Sequence, residues 1–282
     1  MAASEAASGI PYISVVVAVR NGAASLQRCL DSVFTQTYHG WELIVIDGDS
    51  SDGTQEVLER NAHGIRYWIS EPDGGIYSAW NKALPRTRGT WVLFLGADDR
   101  LRDDHVLARM AVHLKAAERT HRVVYGRIDR VDGQDEVIET VGSPWAAVRK
   151  EFRHGMTIPH PATFHLRALF TERGSFDESY RISGDYEFLL RELLENDAKF
   201  IPDVTVTSMR IGGISGNTAE SIREVHRARR AHGLTRLPVA VSPRLIQFRV
   251  RNWVERKFGF RVANSLTTVY RFLVPRSRHP SD

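Results

Sequence analysis

Hydrophobic positions come in two rhythms along the first hundred residues of this chain, and their alternation predicts an architecture. Ile13-Ser-Val-Val-Val-Ala-Val19 is a β-branched run bounded by Pro11 and the turn pair Asn21-Gly22, the pattern of a strand buried on both faces. Leu26, Leu30, Val33 and Phe34 follow at helical spacing, and Leu43 to Ile46 returns to a short apolar strand ended by Asp47-Gly48. Ser51-Asp52-Gly53-Thr54 reads as a helix start ahead of Val57 and Leu58, Tyr67 to Ile69 as a third strand, and Ile76, Trp80, Ala83 and Leu84 as another helical stripe. A strand from Trp91 to Leu95 then stops at Gly96-Ala97-Asp98-Asp99. Strands alternating with helices predict right-handed crossovers and a parallel sheet whose strand C-termini share one edge, where open α/β sheets bind their ligands. Trp80 and Trp91 fall on apolar faces and are expected in the core.

Past residue 100 the pattern is mixed. A helix is expected around Val106 to Ala117, strands at Val123 to Tyr125 and Val137 to Val141, no clear element up to His154, and a helix from Tyr186 to Leu194. From Pro243 onward the chain reads as two helices joined near Phe258-Gly259.

Composition narrows the class. A chain of 282 residues with 42% hydrophobic and 26% charged residues can bury a sizeable core, which excludes a disordered chain, and its longest apolar runs are far shorter than the roughly 20 residues a membrane span needs. Cys29 is the only cysteine, so no intramolecular disulfide forms, and the chain suits a reducing, cytoplasmic setting. The opening MAASEAASGIPY carries Glu5 and no apolar run, unlike a secretory signal, and residues 1–11 are expected to form a disordered tail. The net charge of +4 hides an asymmetry: residues 221–279 hold fourteen Lys or Arg against two acidic residues, so the rest of the chain is net acidic. A basic tail on an acidic body suits an anionic partner, a membrane surface or a nucleic acid.

Acidic residues recur where strands stop: Asp47, Asp73 and the pair Asp98-Asp99. Any one of them is an ordinary turn residue. Several carboxylates on one edge of a parallel sheet, however, repel one another unless a cation or hydrogen-bond donors compensate, which suits a polar ligand site. Asp98-Asp99 at the tip of an apolar strand fits a hard cation, Mg²⁺ or Mn²⁺, completed by water and phosphate. There is no Walker loop, and Arg20-Asn-Gly-Ala-Ala lacks the dinucleotide fingerprint, so ATPase and dehydrogenase readings weaken. Phosphates would be met by the metal together with Arg20 or Lys82.

Four motifs in order, Val16-Val-Val-Ala-Val-Arg-Asn21, Glu42-Leu-Ile-Val-Ile-Asp-Gly-Asp-Ser-Ser-Asp-Gly-Thr54, Glu71-Pro-Asp-Gly-Gly-Ile-Tyr-Ser-Ala-Trp-Asn-Lys82 and Phe94-Leu-Gly-Ala-Asp-Asp99, resemble those of family 2 glycosyltransferases. Weaker matches at His160-Pro161, Ser183-Gly-Asp-Tyr186 and Gly212-Gly-Ile-Ser215 extend the likeness to about residue 216. The resemblance implies a GT-A nucleotide-sugar-binding α/β domain over residues 12–216, with a mainly parallel central sheet flanked by helices. Residues 217–282 would follow it as a basic, amphipathic helical C-terminal extension. It also implies inversion at the anomeric carbon, with Asp47 and Asp73 on the nucleoside and the Asp98-Asp99 segment on metal and diphosphate. The donor set is then Ala18, Arg20, Asp47, Asp73, Asn81, Lys82 and Asp98. The family's DxD motif often begins with an acidic residue; here Gly96 stands there, leaving the cation to Asp98 and Asp99.

The same resemblance makes Asp185 the general base, since a sugar hydroxyl is a poor nucleophile until a carboxylate takes its proton. The competing role for Asp185 is helix N-cap, and Glu187 is the rival base. His160, held between two prolines, and Gly213, in a loop able to close over the donor, are assigned to the acceptor or diphosphate side.

The expected activity is transfer of a sugar from a nucleotide diphosphate donor to a hydroxyl of a glycan or lipid-linked acceptor, of the kind found in bacterial surface polysaccharide or glycolipid assembly. A non-catalytic sugar-nucleotide-binding component of a membrane complex is the alternative, against which the presence of both Asp185 and Asp98-Asp99 speaks. Nucleic acid is not an expected partner, because Trp253, Phe258 and Tyr270 sit in apolar stripes rather than on a stacking surface. Apolar stripes through Ile246, Val250, Trp253 and Val254, and through Val262, Leu266, Val269, Tyr270 and Leu273, are flanked by seven Lys or Arg from Arg244 to Arg271. They predict a peripheral helix on the anionic inner face of the membrane, packing on the domain or in a homo-oligomer being the alternative.

Overall fold

A computed structural model describes residues 9–210 and 218–238. The chain divides into two compact units, residues 1–216 and 217–282.

The first unit opens with β1 (Ile13–Val19), α1 (Ala23–Phe34), β2 (Trp41–Asp47), α2 (Thr54–Arg60), β3 (Tyr67–Ser70), α3 (Ile76–Ala83) and β4 (Trp91–Gly96), the alternation that the hydrophobic rhythm predicts. β1 is buried almost throughout, as a β-branched strand covered on both faces must be. α1 turns Leu26, Cys29, Leu30 and Val33 inward, one stripe at helical spacing. There follow β5 (Arg100–Leu101), α4 (Val106–Ala117), β6 (Val123–Val131), β7 (Val137–Val141), α5 (Trp145–Phe152), β8 (Thr163–Leu166), α6 (Ala168–Glu172), α7 (Gly184–Leu193) and β9 (Lys199–Arg210).

The strands form one sheet in the order β3-β2-β1-β4-β8-β6-β9-β5, with β7 paired to β6. Its first half, β3-β2-β1-β4, is parallel. β8 then runs antiparallel to both β4 and β6, while β5 and β7 are antiparallel to β9 and β6. Only β6 and β9 restore a parallel pair. The sheet is therefore mixed rather than mainly parallel, because past residue 100 the chain inserts short reversed strands: the sequence pattern predicts Val137–Val141 as a strand but not its direction, and it does not predict β5 or β8.

One face of the sheet, through Val15, Val17, Leu43, Leu93 and Leu95, packs with α1, α2 and α4 into the main core, Leu26, Leu58, Met110 and Leu114 among its members. Trp91 belongs to this core, and Trp80 is buried as well. The opposite face carries an aromatic layer. Phe94 packs against Trp80, Phe170 and Phe176, and Phe170 stacks on Phe188 with ring centroids 4.6 Å apart. Such a layer ties α3, α6 and α7 to the sheet through large apolar areas and ring-ring contacts. At the N-terminal edge of the strands, the buried Glu42 carboxylate accepts from Ser14 Oγ (2.6 Å), Arg88 N (2.6 Å) and Gly89 N (3.2 Å) and pairs with Arg66 at 2.6 Å.

In the second unit α8 (Ala219–Ala231) opens with a capping box. The Thr218 hydroxyl accepts from Ser221 N at 3.1 Å, and Ser221 Oγ accepts from Thr218 N at 3.2 Å. Among the described residues no helix is long and apolar enough to cross a membrane. Residues 1–8 of the tail expected over 1–11, the loop at Gly212-Gly213 and the helical stripes expected beyond Pro243 lie outside the described residues.

Candidate active site

Strand register brings the sequence-predicted carboxylates to one edge. Val19 lies opposite Asp47, Asp47 opposite Ser70, and Ala18 opposite Gly96. The chain winds one way from β1 through β2 to β3 and the other way to β4. The β1/β4 boundary is thus the topological switch point, the place at the strand C-termini where open α/β sheets bind their ligands. Ala18 sits there between Ile46 and Gly96. Arg20 follows, exposed and with no ion pair among the described residues.

The segment after β2 is cross-braced to the loop after β1. Asp47 is fully buried; it accepts from Ser50 N (3.1 Å), from the Ser50 hydroxyl and from Ser70 Oγ (2.5 Å). Asn21 adopts a left-handed conformation (φ 51°), giving its N–H to Ser50 Oγ at 2.7 Å and receiving Ser51 N at 3.0 Å. Ala23 N donates to Asp52 and Gly22 N to Thr54 Oγ1, both at 3.0 Å. Asp52 and Thr54 thus serve the orphan donors at the N-terminus of α1, whose own cap residue, Gly22, has no side chain to offer. Hydrogen bonding, from the Thr54 hydroxyl above all, holds the Asp52 carboxyl below its ordinary range.

Asp73 reaches the same edge from β3. Its carboxylate accepts from Gly75 N at 2.9 Å and closes on Gly48, where a Cβ would stand only 2.8 Å from Asp73 Oδ2. Lys82 braces this loop from α3, with Nζ 2.8 Å from Glu71 and 2.9 Å from the Pro72 carbonyl. Asn81, on the same helix, turns to the segment before α7. It accepts from Phe176 N at 3.0 Å and gives its amide to Phe176 O and Glu178 Oε1, each at 2.9 Å. The structure therefore places Lys82 and Asn81 as braces of the two loops that flank this edge.

Asp98 is exposed at the end of β4, whereas Asp99 is 6% exposed and accepts from Gly96 N at 3.2 Å. Burial first, and the charge of Asp98 second, push the Asp99 carboxyl up from 3.8 to about 7. A Cβ on residue 96 would lie 2.8 Å from Asp98 Oδ1 and 3.1 Å from Asp99 Oδ2. Gly96, the departure from the acidic motif, thus lets both carboxylates fold back over the strand end. Among the described residues no group of three or more His, Cys, Asp or Glu side chains stands ready to hold a metal. Two crowded carboxylates, one reluctant to ionise, fit a divalent cation that takes its remaining oxygens from elsewhere.

Asp185 lies in the first turn of α7; the cap position belongs to Ser183, which makes no side-chain cap bond. Its Oδ1 accepts from Tyr186 N at 2.8 Å and from the Tyr77 hydroxyl at 3.3 Å. Glu187, in contrast, is buried and bonded twice to Arg191 Nε at 3.1 Å, while Arg191 Nη1 donates to the Arg173 and Ser175 carbonyls. It anchors a loop to α7.

His160 is 7% exposed, stacked on Trp80 at 5.1 Å with His165 at 5.2 Å. Burial drives its ring down to about 3, and its Nε2 has no hydrogen-bond partner among the described residues. It is a neutral imidazole in the aromatic layer. Gly213 lies outside the described residues. Sequence reasoning missed Tyr77 and Ser70, whose signal was faint: a tyrosine inside a helical stripe and a serine at a strand end.

Residues 14–178 match the family described as "Glycosyl transferase family 2". The chain is 31% identical over 255 residues to the "PGL/p-HBAD biosynthesis glycosyltransferase" of Mycobacterium bovis (strain BCG / Pasteur 1173P2), covering 86% of this chain and 91% of that one. Its fold is similar to that of S. aureus TarS 1-349 in complex with UDP-GlcNAc, with a TM-score of 0.64 at 19% identity over 88% of this chain and 73% of that one. It spans 44% of the longer TarS chain. A mannosyltransferase from Pyrobaculum calidifontis in complex with GDP-Man and Mn²⁺ is similar too, with a TM-score of 0.60 at 17% identity over 94% of this chain and 81% of that one.

Proposed function

The chain belongs to glycosyl transferase family 2 and is a nucleotide-sugar-dependent glycosyltransferase; from that premise we propose that it inverts the anomeric centre in a metal-assisted single displacement with Asp185 as general base. The observation that carries this reading is the meeting at one sheet edge of Asp47, Asp73 and the Asp98-Asp99 pair, with Asp185 held to α3 by Tyr77.

Asp47 and Asp73 take the nucleoside, on a frame made rigid by Ser50, Ser70 and Asn21. Arg20, exposed just past the end of β1, supplies positive charge to the diphosphate. Asp98 and Asp99 would hold Mg²⁺ or Mn²⁺, which would supply positive charge against that growing on the departing diphosphate. Asp185 accepts the proton of the acceptor hydroxyl as the new oxygen–C1 bond forms and the C1–phosphate oxygen bond breaks on the opposite face. His160 stacks in the wall beneath the acceptor, shaping it as a neutral ring.

The acceptor is a glycan or lipid-linked hydroxyl, a reading supported by the relative's name, which places that protein in PGL/p-HBAD biosynthesis. The basic and apolar sequence pattern beyond Pro243 supports attachment to the inner face of the membrane. A panel of UDP-, GDP- and dTDP-sugars, scored for thermal stabilisation with Mn²⁺ and again with chelator, tests the site. One donor should raise the melting temperature by several degrees, because a ligand that binds only the native state stabilises it by mass action. Chelator or Asp98→Ala should remove that gain. Stabilisation of equal size in chelator would mean that basic residues, not a cation, meet the diphosphate.

A further inference from the structure

α3 touches both sides of the candidate site. At one end it carries the Asp73 loop, tied back to it by Lys82. On its other side Asn81 grips the backbone of Phe176 through both its N–H and its carbonyl. Between these lies Tyr77, 3% exposed, its ring edge-on to Trp80 at 5.4 Å and 5.7 Å from Phe176. The ring also lies flush against Gly184, where a Cβ would come within 2.8–2.9 Å of three ring carbons. Only glycine leaves room for this approach, and glycine in the first turn of a helix costs stability that alanine would not. The result is that a phenol hydroxyl, with its ring fixed on three sides, meets Asp185 Oδ1 at 3.3 Å.

We propose that Tyr77 is a positioning residue for transfer: its hydroxyl sets the plane of the Asp185 carboxylate and favours its ionised form, and α3 thereby couples the donor loop to the base. The proposal rests on Asp185 being the base. A packed tyrosine could do its work as a hydrophobic ring alone, and the glycine opposite it makes room for the ring; what a ring alone does not need is the hydroxyl that meets Asp185 Oδ1 at 3.3 Å. Burial, and next the charge of Asp185, push the Tyr77 phenol well above its ordinary range, so it stays protonated and remains a donor at every working pH.

The test compares Tyr77→Phe, which removes only the hydroxyl, with Tyr77→Leu, which removes the ring, and with Asp185→Asn, using the full chain and the donor that stabilises it. Tyr77→Phe should keep the melting temperature and the donor affinity, lower kcat roughly three- to tenfold, the worth of one ordinary hydrogen bond, and move the acid limb of kcat/KM to higher pH. Tyr77→Leu should lose stability as well. If Asp185→Asn abolishes transfer while Tyr77→Phe leaves both kcat and the acid limb unchanged, Tyr77 is a packing residue and the proposal is overturned. If Asp185→Asn transfers normally, it is the assignment of the base that fails.

Discussion

Replacing Asp99 by asparagine should stabilise the protein, and only at neutral and alkaline pH. Asp99 is buried beside Asp98, and its carboxyl is raised from 3.8 to about 7. A group that binds its proton more tightly in the native state than in the unfolded chain adds stability below the unfolded value and loses it as pH rises through the native one. Between pH 4 and 7 the unfolded chain ionises this carboxyl while the native state resists, so the wild type weakens over that window. At about 1.4 kcal/mol per pH unit, the interval from 3.8 to about 7 corresponds to a ceiling of about 4 kcal/mol. An asparagine keeps an oxygen for the Gly96 N–H, so the hydrogen bond at 3.2 Å need not be lost. The variant should therefore gain roughly 2–4 kcal/mol at pH 8.5, about 5–10 °C in melting temperature, and almost nothing at pH 4. Melting curves of both proteins in chelator across pH 4–9 measure this directly. Under the proposed function, the same variant should also lose any cation-dependent part of donor binding, because the amide offers the cation no charge. Equal melting temperatures at every pH, or a gain that grows toward acid, would refute the argument that the paired carboxylates are held at a cost to the fold.

Glu42→Ala should be strongly destabilising, by about 3–5 kcal/mol in urea unfolding, because it strands Ser14, two backbone donors and Arg66 at the N-terminal strand edge. A loss under 1 kcal/mol would show that water replaces the carboxylate there. Truncation before Pro243 should abolish salt-dependent sedimentation with anionic vesicles while leaving donor stabilisation intact. Vesicle binding that survives truncation would assign the basic segment beyond Pro243 to packing or to a homo-oligomer.

The parallel half of the sheet was legible because each of its strands is an apolar run ended by turn chemistry, as at Ile13–Val19 and Trp91–Gly96. β9 was not, because Pro202 and Asp203 interrupt it and the polar Thr207 and Ser208 are among its buried positions. α5 buries only Trp145 and Phe152, too little for a visible stripe. Asp47, Asp73 and Asp98-Asp99 were readable as a group because they end successive strands. What the string could not show is the use of neighbouring groups. Ser51-Asp52-Gly53-Thr54 reads as the start of its own helix, yet its side chains serve the N-terminus of α1, and Gly53, in a left-handed conformation, takes the cap position of α2. Asn81 and Lys82, expected on the donor, also brace loops, at Phe176, 95 residues on, and at Pro72, 10 residues back. Tyr77 and Asp185 are 108 residues apart, and nothing in either local pattern announces that they meet.

The most direct test of the account is the transfer rate of Asp185→Asn at saturating donor. An amide can keep the hydrogen bonds of Oδ1 but cannot take the acceptor's proton, so donor affinity should match the wild type while transfer falls by a factor of about 10² or more. Transfer at the wild-type rate would contradict the assignment of Asp185 as base.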